Sequence, residues 1–198
     1  QALILVEGVT EEQIIPAMFE VYFGKSSFSL GINCISVAGQ NYPPFIKMAL
    51  SFSISVCIVS DNDGKTRQHI NKKIEKIKKN TSLTLSDDVF YLSFLQDGYD
   101  IEAELVHTPG LKDEIMEALV KAETRGSDKT TYIQEKESKL SQLSNDEILK
   151  KMRSSKASYA GFLAEIIRKN PNKKSAHHLV PQAIIDAFEQ LKKWNLSC

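Results

Sequence analysis

Apolar and polar positions along the first half of the chain alternate between two periods. ALILVEG, from Ala2, is a continuous apolar run of strand length ending in Glu7 and Gly8, and Ile14, Ile15, Met18, Phe19 and Tyr22 then follow a helical spacing. Thr10 and Gln13 fit a capping box at the start of that helix, and Pro16 inside it predicts a kink or a later start. INCISVAG predicts a second strand stopped by Gly39, and Pro43 and Pro44 open a short helical stretch through FIKMALSF. ISVCIVS predicts a third strand. Arg67 to Lys79 predicts a helix with Ile70, Ile74 and Ile77 inward, and VFYLSF a fourth strand. From about residue 108 only helical patterns remain: LKDEIMEALVKAE, YIQEKESKLSQL, NDEILKKM, YAGFLAEIIRK and PQAIIDAFEQLKKW.

Strands that alternate with helices and are apolar on both faces predict an α/β fold, a mostly parallel four-stranded sheet flanked by helices in the Rossmann manner. The expected organisation is an α/β core over residues 1–107 and a C-terminal helical subdomain over 108–198. In parallel sheets ligands bind beyond the carboxyl ends of the strands. Glu7 and Gly8 follow the first strand, Gly39 the second, Asp61 and Asp63 the third, and Asp100 and Glu102 come a short loop after the fourth. The acids are expected to gather at one sheet edge.

SDNDGKT, Ser60 to Thr66, invites two chemistries. Gly64-Lys65-Thr66 looks like the end of a phosphate-binding loop, but G-x-x-x-x-G-K-[ST] needs an earlier glycine where Val59 stands. Gly24-Lys25-Ser26 fails likewise, with Phe19 in that place. Asp61 and Asp63 instead suit a hard cation, although a lone D-x-D is usually explained by turns and helix caps. Company strengthens the metal reading. Two like charges ~6 Å apart at an effective dielectric of ~20 cost roughly 2.8 kcal/mol, and magnesium or manganese held by carboxylate oxygens would remove that cost. Glu11 and Glu12 favour a helix N-terminus by charge alone; Glu11 lies one turn past Glu7 and can reach the same cation, Glu12 less readily.

Composition narrows the class. Apolar residues make up 42% and charged residues 25% of the 198 residues, a globular balance. No apolar run approaches ~18 residues, so no membrane-spanning helix is expected, and there is no signal segment. Cys34, Cys57 and Cys198 lack metal-ligand spacing, and a reducing cytoplasm is the simple expectation. Gln1 leads almost directly into a strand, which suggests a fragment of a longer polypeptide. The formal net charge of zero is unevenly spread: Lys65–Lys79 has Glu75 as its only acid, the segment 87–117 is strongly acidic, and 150–174 is basic again. A solvated helix face explains any one such run; two basic stretches around an acidic one also suit a polyanion held across a metal-binding centre. Lys65, Arg67, Lys72, Lys73, Lys151 and Arg153 are the expected phosphate contacts. His69 and His177-His178 read as surface residues, and Phe188, Leu191 and Trp194 as helix packing or a homodimer contact.

LVEGVTE (Leu5 to Glu11), VSDND (Val59 to Asp63) and DIEAEL (Asp100 to Leu105), in that order, resemble the Toprim domain shared by topoisomerases, bacterial primases and several nucleases. The closer resemblance is to the Toprim of the OLD (overcoming lysogenization defect) family nucleases, which include the nuclease subunit of the Gabija anti-phage system. There E-G-x-T-E matches Glu7, Gly8, Thr10 and Glu11, and D-[IL]-E matches Asp100, Ile101 and Glu102; Lys156 in RSSKASYAGF fits the place of a downstream lysine. The motifs cover roughly residues 1 to 107. Two departures stand out: Gly39 is followed by Gln40 and Asn41 instead of lysine, and Glu104 duplicates the acid at Glu102.

The resemblance implies a Mg- or Mn-dependent endonuclease, a hydrolase cleaving DNA through two cations. By carry-over Glu7, Glu11, Asp61, Asp63, Asp100 and Glu102 would share the metals, Glu7 and Asp61 with a direct catalytic part, and Lys156 would stabilise the transition state or leaving group. It also implies an N-terminal ATPase absent from this chain. The competing expectations are a DNA-binding or dimerisation module inactive without that ATPase, and a primase- or topoisomerase-type Toprim. The latter lacks support here, since a primase normally brings a zinc-binding region and no cysteine or histidine cluster accompanies the motifs, while a topoisomerase needs a nucleophilic tyrosine on another domain.

Overall fold

A computed structural model describes residues 1–80, 85–125, 130–170 and 173–194, without the side chains of Asn80, Lys156 and Ala157. The strands are β1 (Ala2–Val6), β2 (Ile32–Ser36), β3 (Ser55–Ser60) and β4 (Phe90–Phe94). They form one four-stranded sheet in the order β2-β1-β3-β4, parallel throughout. Ala2 pairs with both Ile32 and Ser55, and Ser60 with Phe94, so the strands end nearly level and their following loops meet at one edge.

The helices of the first half are α1 (Val9–Phe23), α2 (Tyr42–Ser51), α3 (Thr66–Asn80) and α4 (Ile101–His107). Those of the second are α5 (Lys112–Thr124), α6 (Thr130–Leu140), α7 (Asn145–Ser154), α8 (Lys156–Lys169), α9 (Ala176–Leu179) and α10 (Gln182–Lys193). Strand alternation sorts the core into two layers. Leu3, Leu5, Val56 and Ile58 face Tyr42 and Ile46 of α2 and Ile70, Ile74 and Ile77 of α3. Ala2, Ile4, Val6, Cys57 and Val59 face the other way, into a continuous cluster that runs from Ile14 and Phe19 on α1 to Leu163 on α8 and Phe188 on α10.

That cluster crosses the boundary expected at residue 107. α8 packs along α1 and α10 on β3 and β4, and the Ser93 hydroxyl donates to the Ala183 carbonyl at 2.7 Å. The helical half therefore covers one face of the sheet and shares its core. Phe188 and Leu191 are fully buried there, and the Trp194 indole N–H donates to the Asp87 carbonyl at 2.7 Å. All three are engaged in packing or hydrogen bonding within the chain.

The start of α1 differs from expectation. Gly8 is its N-cap and Glu11, not Gln13, reaches back to the cap, with the Gly8 N–H 3.3 Å from Glu11 Oε1. Thr10 is already inside the first turn, where its side chain is released for another partner. Pro16 lies within α1 without ending it; proline has no N–H, so one ladder bond is missing there, and burial of Ile14, Ile15, Met18 and Phe19 outweighs that loss. Among the described residues no helix is long and apolar enough to cross a membrane.

Candidate metal centre

Strand ends and helix starts position the acids. Glu7 leaves β1 half-buried, and the Ser60 hydroxyl at the end of β3 lies 2.8 Å from its Oε1 and 3.0 Å from the Asp61 carbonyl oxygen, its single proton serving one of them at a time. Burial raises the Glu7 carboxyl above the ordinary range and the charge of Asp63 adds to this, against the Ser60 hydrogen bond. Asp61 follows at once. Its Oδ1 is buried and has no hydrogen-bond partner. Burial, then the charges of Glu11, Glu7, Asp100 and Asp63, push its carboxyl up to about 8.

Asn62, between the two aspartates, has a structural task. It is 5% exposed, its side-chain amide donates to the Leu95 carbonyl at 3.0 Å, and its backbone exchanges bonds with Tyr99 and Gly98. One residue thus ties the end of β3 to the loop that carries Asp100. Asp63 is exposed and its Oδ1 accepts the Thr66 hydroxyl at 2.7 Å. Thr66 in turn accepts from the Gln40 amide at 3.0 Å, which makes GKT a helix-opening turn instead of a phosphate loop.

Asp100 caps α4, its Oδ1 accepting the Ala103 N–H at 2.9 Å, and pairs with Arg153. Glu102 is fully buried, and its Oε1 accepts from the Thr10 hydroxyl at 3.2 Å and the Tyr159 hydroxyl at 3.3 Å. Glu104 points elsewhere, to the Gln96 N–H at 3.0 Å, and burial raises its carboxyl. Of the two duplicated acids, Glu102 is the one on the α1 side. Glu12 also turns away, accepting the Ser36 N–H at 3.0 Å and so holding the end of β2.

The structure therefore brings Glu7, Glu11, Asp63 and Asp100 within electrostatic reach of Asp61 and sets Glu102 beside the first turn of α1 through Thr10. It does not point them at one place. Among the described residues no group of three or more His, Cys, Asp or Glu side chains is arranged to hold an ion. Glu7, Glu11, Asp63, Asp100 and Glu102 each have a local donor, whereas Asp61 Oδ1 is among the buried oxygens that have none. The donor set still fits a hard divalent cation in kind: it is all carboxylate oxygen, and it carries an orphaned buried acceptor.

The expected phosphate contacts divide. Lys65 and Lys72 are exposed. The Arg67 guanidinium lies 5.1 Å over the Phe94 ring, and Lys73 donates to the Gln40 carbonyl at 2.7 Å. Lys151 is paired with Glu123, which also holds Lys136 at 3.0 Å. Arg153 is on Asp100. Lys156 opens α8, but its side chain lies outside the described residues. Ser60, Asn62 and Tyr159 are the residues around the acids that sequence patterns miss. Each reads there as ordinary strand, turn or helix composition, and Tyr159 carries no local signal at all.

A level parallel edge, a glutamate after β1, a D-x-D after β3 and an acid-capped helix after β4 define a Toprim-type α/β domain. Residues 1–63 match the sequence model of the overcoming lysogenization defect protein-like TOPRIM domain. The fold as a whole is that of OLD C-terminal regions. The C-terminal region of the Burkholderia pseudomallei OLD protein superposes with a TM-score of 0.66 at 22% identity, over 97% of each chain. That of Xanthomonas campestris pv. campestris does so with a TM-score of 0.65 at 23% identity, over 99% of this chain and 93% of the other. No curated protein matches the chain. The resemblance read from the three motifs is borne out: this is an OLD-like Toprim fold.

Proposed function

We propose that the chain is a divalent-metal-dependent DNA endonuclease domain, using magnesium or manganese at the carboxyl edge of its sheet. The observation that carries this reading is the buried, unpartnered Asp61 Oδ1 in the field of four other carboxylates. Such an arrangement is costly on its own and becomes favourable beside a hard cation. Glu7, Glu11, Asp61, Asp63, Asp100 and Glu102 would hold the metals. When bound, two divalent ions supply a nucleophile active at neutral pH and neutralise charge building on the phosphate.

The chain's own residues do the positioning. Ser60 orients Glu7, Asn62 fixes the loop between Asp61 and Asp100, and Thr10 with Tyr159 sets one oxygen of Glu102. Lys156 is assigned the cationic role at the scissile phosphate from the motif resemblance, as a compact charge suited to phosphate oxygens. The exposed Lys65 and Lys72 flank the acids in sequence and would track the DNA backbone. Residues 108–198 would complete the site through Tyr159 and Arg153, and an ATPase domain would govern it in a longer polypeptide.

Plasmid cleavage in magnesium, manganese or calcium, with Asp61→Ala as control, tests the reading. Cutting abolished by the substitution supports it; metal bound equally by both chains overturns it. A second reading, a DNA-binding module at rest until a partner acts, is favoured by the local donors already engaging the other carboxylates. DNA retained on filters in calcium but never cut in magnesium is the outcome it requires.

A further inference from the structure

Asp100 has two commitments. Its Oδ1 caps α4, and the Arg153 guanidinium grips both oxygens, Nε to Oδ2 at 2.7 Å and Nη2 to Oδ1 at 2.9 Å. A carboxylate offers about four lone-pair sites, and these contacts use most of them. Asp100 is 13% exposed and Arg153 47%, so the pair sits at the mouth of the acidic edge, with its cation on the solvent side. The guanidinium is held in its charged form first by the Asp100 hydrogen bonds, with Glu102 and Asp63 contributing charge. It therefore occupies a place where the acids need positive charge.

We infer that Arg153 and a divalent cation compete for Asp100, so that cation binding there releases the guanidinium toward the phosphate backbone of the bound DNA. This rests on the carboxylate site proposed above. A cation on an Asp100 oxygen at ~2.0–2.6 Å draws on the same few lone pairs of which Arg153 now uses two. It also repels the nearby guanidinium with twice the force of a unit charge. Arg153 lies in the last turn of α7, outside the core, and its long side chain is half exposed, so it can swing without unpacking the fold. The fork that fits a carboxylate fits a phosphate equally well.

Competition has a sign that no simpler role shares. A purely structural pair would loosen cation and DNA binding together when broken, and a plain DNA contact would leave cation affinity unchanged. Under competition Arg153→Gln tightens the cation roughly three- to tenfold, the size expected for losing a half-exposed ion pair. The same substitution weakens DNA binding in calcium about threefold or more.

The experiment is a calorimetric titration of manganese into the 198-residue chain, Arg153→Gln and Asp61→Asn, with fold checked by circular dichroism. The Arg153 Nε–H resonance of the unsubstituted chain is followed through a magnesium titration, and DNA retention is measured in calcium. Tighter manganese binding by Arg153→Gln, a shifted Nε–H signal and weaker DNA retention support the competition. If the unsubstituted chain binds manganese, Asp61→Asn does not and Arg153→Gln equals the unsubstituted chain, the carboxylate site stands and the competition falls. An unmoved Nε–H signal at magnesium saturation overturns it too. If neither the unsubstituted chain nor Arg153→Gln binds any cation, both readings fall together.

Discussion

The Tyr159 hydroxyl on α8 donates to Glu102 Oε1 on α4 at 3.3 Å, although 57 positions separate the two residues. Both are fully buried. The contact carries the helical half of the chain into the acidic edge, and Thr10 from α1 closes the group on the same oxygen.

Tyr159→Phe keeps the ring and removes the donor. With a buried carboxylate losing one of its hydrogen bonds, the fold should weaken by about 1–3 kcal/mol in urea denaturation at neutral pH. Unchanged stability would mean that Glu102 does not depend on the Tyr159 donor.

Asp61 makes stability depend on pH when divalent ions are removed. Its carboxyl is raised from 3.8 to about 8 on folding, so the folded chain binds this proton more tightly than the unfolded one. The contribution is then fully present below pH ~4 and is lost as pH rises toward ~8. In a chelator, stability should fall by on the order of a few kcal/mol across that window, and Asp61→Asn should remove most of the slope and be the more stable chain at pH 8. Equal slopes for the two chains would exclude Asp61 as the source.

Restoring the metal should reverse that loss. At pH 8, magnesium or manganese at a hundredfold excess over its dissociation constant should stabilise the unsubstituted chain by ~2.7 kcal/mol and Asp61→Asn by much less. Thermal shifts with and without chelator measure this, and equal shifts would place the ion elsewhere.

Asn62→Ala should uncouple the end of β3 from the loop before α4. The Leu95 carbonyl loses its side-chain donor inside the protein, at a cost of about 1–3 kcal/mol. Amide exchange at Gly98 and Tyr99 should accelerate as the loop loosens, and protection equal to that of the unsubstituted chain would show that the backbone bonds suffice.

Gly110→Ala tests how the second half is locked. A Cβ at Gly110 would come within 2.1 Å of the His178 carbonyl oxygen, a backbone atom that cannot step aside. Beside it Lys174 donates to the Gly110 carbonyl and to Glu114, each at 2.8 Å. The substitution should cost upward of ~1–3 kcal/mol; a drop of less than about half a kilocalorie would mean that α9 yields easily.

The order of strands and helices was legible because it depends on short-range periodicity. Apolar runs such as ALILV and SVCIV mark strands buried on both faces, and isoleucines at helical spacing mark the inner side of α3. The clustering of Glu7, Asp61 and Asp100 was legible for a related reason: in a parallel sheet every strand ends at the same edge, so acids that follow strands must meet. The motifs then pointed to an OLD-like Toprim over roughly residues 1 to 107, and the family model matches residues 1–63 of that span.

Partners were not legible. Glu102 and Glu104 are equivalent in DIEAEL, and only the packing of α4 sends one to Thr10 and Tyr159 and the other to Gln96. Glu11 reads as a ligand and is found capping Gly8; Arg153 reads as a phosphate contact and is found on Asp100. Which residue types arrive at the sheet edge follows from strand and helix periods that act over a few neighbours. What each side chain bonds to there follows from packing, because a hydrogen bond or ion pair forms over about 3 Å and its partner arrives from tens of residues away.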